Sequence, residues 1–291
     1  MLRFGIRRRL GPEAGIDHLR EVAERMDLRF GAAERDVRRT PVDAGGVAAE
    51  WIDVVSGGDA PVIVYLHGGA FCLRFPCTHA ALVARLCRRL GARALLPDYR
   101  LAPEHRYPAA LDDCVKAYRF ALAQCADPKR IVLAGDSAGG TLVLAALLRL
   151  KASALPLPAC AVAISPLTDF TLSGRSMVDN EGIDPMFRLR VIAAMRTLYA
   201  DAVQFTDPFV SPLFGAFHGL PPLLLQVGST EMLRDDALRI AARAQQAGVD
   251  AEVEVYENMP HVFHVMRMLP ASDKALDAIA DFVRARTGRF L

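Results

Sequence analysis

The chain lacks an excess of either charge. Lys and Arg number 35 against 33 Asp and Glu in 291 residues, a net charge of +2. Such a balance creates no field that would draw in nucleic acid or an anionic membrane. A cluster of arginines near the start (Arg3, Arg7, Arg8 and Arg9) stands without interleaved aromatics and reads as a solvated terminus. No apolar run approaches the ~20 residues needed to cross a bilayer, so stable membrane insertion is not expected. The opening residues also lack the apolar core and small-residue cleavage site of a secretory signal. Cys72, Cys77, Cys87, Cys114, Cys125 and Cys160 keep no metal-ligand spacing, and neither Cys-x-x-Cys nor His-Glu-x-x-His occurs. They are expected to be free thiols in a reducing cytoplasm, with no metal and no cofactor. No internal repeat argues for a solenoid.

What the chain has is apolar material, 52% of its residues, arranged in alternating strand and helix patterns. Short buried-strand signals fall at 62–66, 93–96, 130–134, 160–165, 222–227 and 252–256. Helical spacing falls between and after them, at 80–90, 108–125, 141–150, 188–199, 235–246 and 272–286. That alternation predicts an α/β fold with a largely parallel sheet covered on both faces. Two stretches break the pattern. Residues 1–45 and residues 170–205 are expected to form a small helical cap over the C-terminal ends of the strands, where ligands bind in open α/β sheets. The core is then 46–169 with 206–291.

Gly135-Asp136-Ser137-Ala138-Gly139 lies between a strand signal and a long apolar helix signal. Strand, Gly-x-Ser-x-Gly, helix is the layout of a nucleophile elbow, in which small flanking residues leave room for an exposed serine. A serine hydroxyl needs a base to take its proton. The candidate histidines that follow Ser137 are His218, His261 and His264. His261 is preferred because it follows the 252–256 strand by a short loop, whereas His218 precedes a strand and His264 reads as a packing residue. The acid should also follow a strand. Glu231 is the first carboxylate past the 222–227 strand, with Asp235 as the alternative, although Asp at a helix start has a capping reason to be there. Backbone amides for a developing oxyanion are expected from Gly68 and Gly69, just past the 62–66 strand, and from Ala138 beside the serine.

Taken together these blocks resemble the hormone-sensitive-lipase-like bacterial esterases of the α/β-hydrolase fold. The resemblance rests on His67-Gly68-Gly69-Ala70-Phe71, Asp98 to Glu104, Gly135 to Gly140, Asp207-Pro208 with Ser211-Pro212-Leu213, Gly228 to Asp236, and Met259 to Phe263, in that order. It implies a Ser137–His261–Glu231 triad acting on short to medium acyl esters, with a homodimer through the 252–256 edge strand. It also implies a structural charge network of Asp98, Arg100 and Glu104. Two departures stand out: Ala70 replaces the commoner third glycine, which is harmless unless that position needs a left-handed backbone, and Glu231 stands where Asp is common. The same residues would serve an amidase, formamidase or deacetylase; a non-catalytic receptor for a small hydrophobe is the remaining alternative.

Overall fold

A computed structural model describes residues 15–31, 36–54, 61–125 and 127–287. The arginine-rich start, and with it residues 1–14 of the N-terminal segment, lies outside them. Eight strands form one sheet in the order β1-β2-β4-β3-β5-β6-β7-β8. They are β1 (Arg38–Asp43), β2 (Ala48–Asp53), β3 (Val62–Leu66), β4 (Arg93–Pro97), β5 (Ile131–Asp136), β6 (Cys160–Ile164), β7 (Leu223–Gly228) and β8 (Ala251–Tyr256). β1 and β2 pair antiparallel, as do β2 and β4; every pairing from β4 to β8 is parallel. The described helices are α1 (Ile16–Phe30), α2 (Pro76–Leu90), α3 (Ala109–Cys125), α4 (Ala138–Ala152), the single-turn α5 (Ser176–Asp179), α6 (Leu189–Tyr199), α7 (Arg234–Gln246) and α8 (Pro270–Thr287).

β3, β5, β6 and β7 are buried at every position, which is why their sequences read as unbroken apolar runs rather than alternating ones. Successive side chains of a strand leave on opposite faces. Val62, Val64 and Leu66 accordingly enter the core beneath α3, α4 and α7, with Leu111, Leu142 and Ile240. Ile63 and Tyr65 enter the core beneath α2 and α8, with Leu82 and Ile279. Each face is therefore an independent apolar layer, and the sheet is the shared wall between them. Among the described residues no helix is long and apolar enough to cross a membrane.

The hairpin β1–β2 has no counterpart in the sequence reading. β1 lies inside the 1–45 stretch expected to form cap, yet it belongs to the sheet, with Thr40 opposite Trp51. Its sequence Arg-Arg-Thr-Pro-Val-Asp is exposed at almost every position, so an edge strand of this kind leaves no apolar period to detect. α1, by contrast, is helical as expected and packs Leu19 and Ala23 on Cys72 and Leu73, next to Met195 of α6. The Arg20 guanidinium adds a polar clamp: it donates to the carbonyls of Cys72 (3.1 Å) and Ala102 (3.0 Å) and holds Glu104 at 2.7 Å.

Switch points in such a sheet create a crevice at the strand ends. The chain lays β4 on one side of β3 and β5 on the other, with Leu66 opposite Gly135. The loop after β3 and the turn after β5 thus emerge side by side. Truncating the strand that carries this turn should be costly: Leu133→Ala, at a fully buried position, is expected to lower stability by about 2–5 kcal/mol in urea unfolding. Val203→Ala, which is 87% exposed, should stay within about 0.5 kcal/mol.

Candidate active site

β5 hands over to α4 at Ser137, whose backbone has φ 53° and ψ −121°. A non-glycine residue held there stores roughly 1–3 kcal/mol of strain, which the surrounding structure must overdetermine. The Ser137 N–H donates to the Ile164 carbonyl at 2.7 Å, and its own carbonyl accepts from Thr141 N–H at 3.0 Å. The flanking glycines serve closeness, not strained angles, because the positive φ of this turn belongs to the serine. A Cβ on Gly135 would lie 2.6 Å from the Leu66 carbonyl oxygen, and one on Gly139 would overlap that same oxygen. Larger side chains would hold α4 off β3.

His261 reaches this serine from the loop after β8. Its Nε2 lies 2.9 Å from Ser137 Oγ and its Nδ1 2.7 Å from Glu231 Oε2. A carboxylate only accepts, so Nδ1 carries the proton and Nε2 is left to accept from the hydroxyl. Glu231 is fully buried, and its other oxygen accepts from Ser165 Oγ (2.7 Å) and Gly228 N–H (2.6 Å). Four hydrogen-bonded groups thus form one line from Ser165, just past β6, through Glu231 and His261 to Ser137. Burial disfavours the imidazolium of His261, but the Glu231 carboxylate outweighs it and the histidine's pKa lies above its ordinary value. Phe187 packs its ring edgewise on the imidazole, with centroids 4.8 Å apart.

Asp235, the alternative acid, is spent elsewhere. Its carboxylate caps the start of α5 at Ser176 N–H (2.9 Å) and pairs with Arg234. Its neighbour Asp236 is buried and accepts from the Thr168 and Asp169 amides, and burial pushes its pKa up to about 7. His264 is buried with Nε2 at 2.9 Å from Gln226 Oε1, and His218 is exposed. Asp98, Arg100 and Glu104 do not form one network. Asp98 pairs with Arg74, Arg100 with Asp113 and Glu104 with Arg20, so the block is tied separately to the loop after β3, to α3 and to α1.

The loop after β3 departs from expectation at Gly68. Its N–H points at Asp136 Oδ1, 3.1 Å away, so it is not offered to a substrate. The two residues after it turn left-handed: Gly69 has φ 129° and Ala70 φ 51°. A Cβ on Gly69 would run into the Leu73 carbonyl, which makes glycine necessary there. Ala70 meets the left-handed condition that its sequence left open, at a cost of about 1–2 kcal/mol. Among the described residues the amides of Gly69 and Ala70 donate to no protein acceptor. Ala138 opens α4, whose first amides have no intrahelical partner. Ser137, Ala138 and Ala70 line one small cavity of ≈ 40 Å³ with Leu167, Ile192 and Arg196. Asp184 went unnoticed in the sequence. It is buried and accepts from the amides of Met186 and Phe187 with one oxygen and of Met232 with the other, fixing Phe187 beside the imidazole; a lone Asp in a long insertion carries no pattern that would have revealed it.

The chain is similar to known proteins in sequence and in fold. A family model described as the alpha/beta hydrolase fold matches residues 63–265. An acetyl-hydrolase of Streptomyces hygroscopicus is 38% identical over 86% of this chain and 84% of its own length. An esterase of Acinetobacter venetianus is 38% identical over 91% and 87%. A crystal structure of an esterase from the bacterial hormone-sensitive lipase family superposes with a TM-score of 0.93 at 39% identity, covering 99% of this chain and 97% of that one.

The His261–Glu231 contact has a direct spectroscopic consequence. NMR titration should place the His261 pKa above its ordinary value in the native chain, with the ring neutral at pH values above that. In Glu231→Gln the partner charge is gone and burial dominates, so the pKa should fall below the ordinary value. An unchanged titration in the variant would show that Glu231 does not set it.

Proposed function

This chain belongs to the alpha/beta hydrolase fold family, among its hormone-sensitive-lipase-like esterases, and we propose that it hydrolyses short acyl esters with Ser137 as nucleophile. The observation that carries the reading is the unbroken hydrogen-bonded line from Glu231 through His261 to the Ser137 hydroxyl. A neutral His261 takes the hydroxyl proton as Oγ attacks the ester carbonyl. Glu231 keeps the ring in the tautomer that can do this and stabilises the imidazolium that results. The imidazolium then protonates the departing alcohol. Water enters, gives a proton to His261 and attacks the acyl-enzyme; the intermediate collapses with cleavage of the acyl–Oγ bond, His261 returns the proton to Oγ, and the acid leaves. Each step uses one proton carrier and needs no metal or cofactor to balance.

The negative oxygen of each tetrahedral intermediate is assigned to the amides of Gly69, Ala70 and Ala138. Gly69 and Ala70 directly follow Gly68 and their amides donate to no protein acceptor, and Ala138 adds the positive end of α4. Gly68 is left out of this set because its N–H is already committed to Asp136. The acid of the triad is Glu231, not Asp235, for the same kind of reason.

Chain-length preference follows from the space beside Ser137. A cavity of ≈ 40 Å³ holds little more than a few waters, which suits acetyl and butyryl groups. Ile192 and Met195 of α6 are part of its wall, and α1 abuts the outer side of that wall through Leu19 and Ala23. We assign these two helices to a cap of residues 15–31 and 170–205, without β1.

Ser137→Ala should lower turnover of p-nitrophenyl butyrate by at least ~10⁴-fold while leaving the urea unfolding midpoint near that of the native chain. Across p-nitrophenyl acetate, butyrate, octanoate and laurate, kcat/KM should peak at acetate or butyrate. Persisting turnover in the variant would remove Ser137 from the chemistry, and a maximum at laurate would remove the short-acyl assignment.

A further inference from the structure

Immediately behind the nucleophile lies a second buried carboxylate–imidazole pair that the mechanism does not use. Asp136 and His79 are 3% and 4% exposed, and His79 Nε2 stands 3.1 Å from Asp136 Oδ1. The same oxygen accepts from Tyr65 OH (2.9 Å) and Gly68 N–H (3.1 Å). Three donors on one carboxyl group mark it as ionised. On the other side of the ring, His79 Nδ1 faces the Phe75 carbonyl at 2.9 Å. Both ring nitrogens therefore meet oxygens that can only accept, and both must carry hydrogen. Gly68 N also lies 3.3 Å from His79 Nε2, but a protonated nitrogen cannot accept, so the amide proton belongs to Asp136.

Resting on the reading of Ser137 as nucleophile, we infer that Asp136 and His79 are a charge-compensated positioning pair: Asp136 anchors the Gly68 amide and so aims the next two amides at the oxyanion, while the His79 imidazolium cancels a negative charge that would otherwise oppose it. Two features make this necessary. Gly69 and Ala70 both have positive φ, so the loop depends on an external hold, and Gly68 is the last residue before it. Asp136 is also adjacent in sequence to the serine, in a region from which water is excluded. A bare carboxylate there would repel the oxyanion at low effective dielectric. The titration directions agree. Burial disfavours both charged forms, yet each partner outweighs it, and His79 lies above its ordinary pKa and Asp136 below. The neighbouring His67 is held neutral, pushed down to about 3 by burial and by His79.

The test separates anchor from charge. His79→Gln keeps a donor for Asp136 and removes only the positive charge. Asp136→Asn keeps an oxygen for Gly68 N–H and removes the negative one. Asp136→Ala removes the anchor. With p-nitrophenyl butyrate, His79→Gln and Asp136→Ala should each lose on the order of 10²-fold in kcat, the scale of a lost oxyanion donor, with KM within about threefold. The double variant His79→Gln/Asp136→Asn, neutral but still anchored, should recover at least about tenfold over His79→Gln, an effect that a merely structural role would not give. A double variant no better than His79→Gln overturns the charge compensation, and native kcat in Asp136→Ala overturns the anchor. Should His79→Gln fail to fold, Asp136→Asn must exceed Asp136→Ala by about tenfold in kcat, and equal losses overturn the proposal. Ser137→Ala, run alongside, distinguishes the two readings. Turnover surviving there strikes the nucleophile and takes the pair with it, whereas turnover lost there but native in Asp136→Ala and His79→Gln strikes the pair alone.

Discussion

The carbonyl oxygen of Leu66 sets how closely two pieces of backbone may approach, and the site is built around that approach. A Cβ at Gly135 or at Gly139 would collide with it. Without side chains there, the N-terminus of α4 settles against the end of β3, and the loop leaving β3 is delivered beside Ser137. The parallel pairing of β3 with β5 fixes the register, Leu66 opposite Gly135. Packing on both faces of the sheet then resists the strain that the serine's backbone carries. The two apolar layers hold a few atoms where an unsupported chain would not leave them.

Two buried imidazole–carboxylate pairs flank the serine, and they differ in one respect. The ring of His261 has a carboxylate on one nitrogen and a hydroxyl on the other. The ring of His79 has acceptors on both. The first is consequently free to exchange a proton with Ser137, and the second is not. Similar side chains at similar burial are divided between transport of a proton and fixed charge by what stands opposite the second nitrogen. In each pair burial and the carboxylate pull in opposite directions, and the carboxylate prevails.

The sheet core and the main helices were legible because parallel strands buried on both faces leave unbroken apolar runs, and β3 falls at 62–66 in both sequence and structure. The β1–β2 hairpin was not, because its outer strand is polar and exposed and has no period to read. At the site, Ser137, Glu231 and His261 could be selected by chain order and by position after a strand, and the structure brings all three together. Gly68 shows where such reasoning runs out. Sequence identifies which amides lie in a loop, but the direction of each N–H depends on an acceptor 68 residues away, Asp136. The room that small flanking residues leave is visible in the sequence, but that the elbow's positive φ belongs to the serine is not.

The attachment of α1 has a consequence for how the molecule comes apart. A few small apolar contacts, the Arg20 guanidinium and the Asp27 carboxylate, which accepts from the Cys77 and Thr78 amides, hold this helix to the loop, to Glu104 and to the start of α2, whereas the strands beneath it are locked into two extensive cores. Regions with few buried contacts open at a fraction of the global free energy. On warming, or as salt screens the Arg20 clamp, α1 is placed to fray while the sheet remains intact. The wall that α1 backs would then loosen before the sheet melts, so the order in which the molecule comes apart is set at its periphery and not in its core.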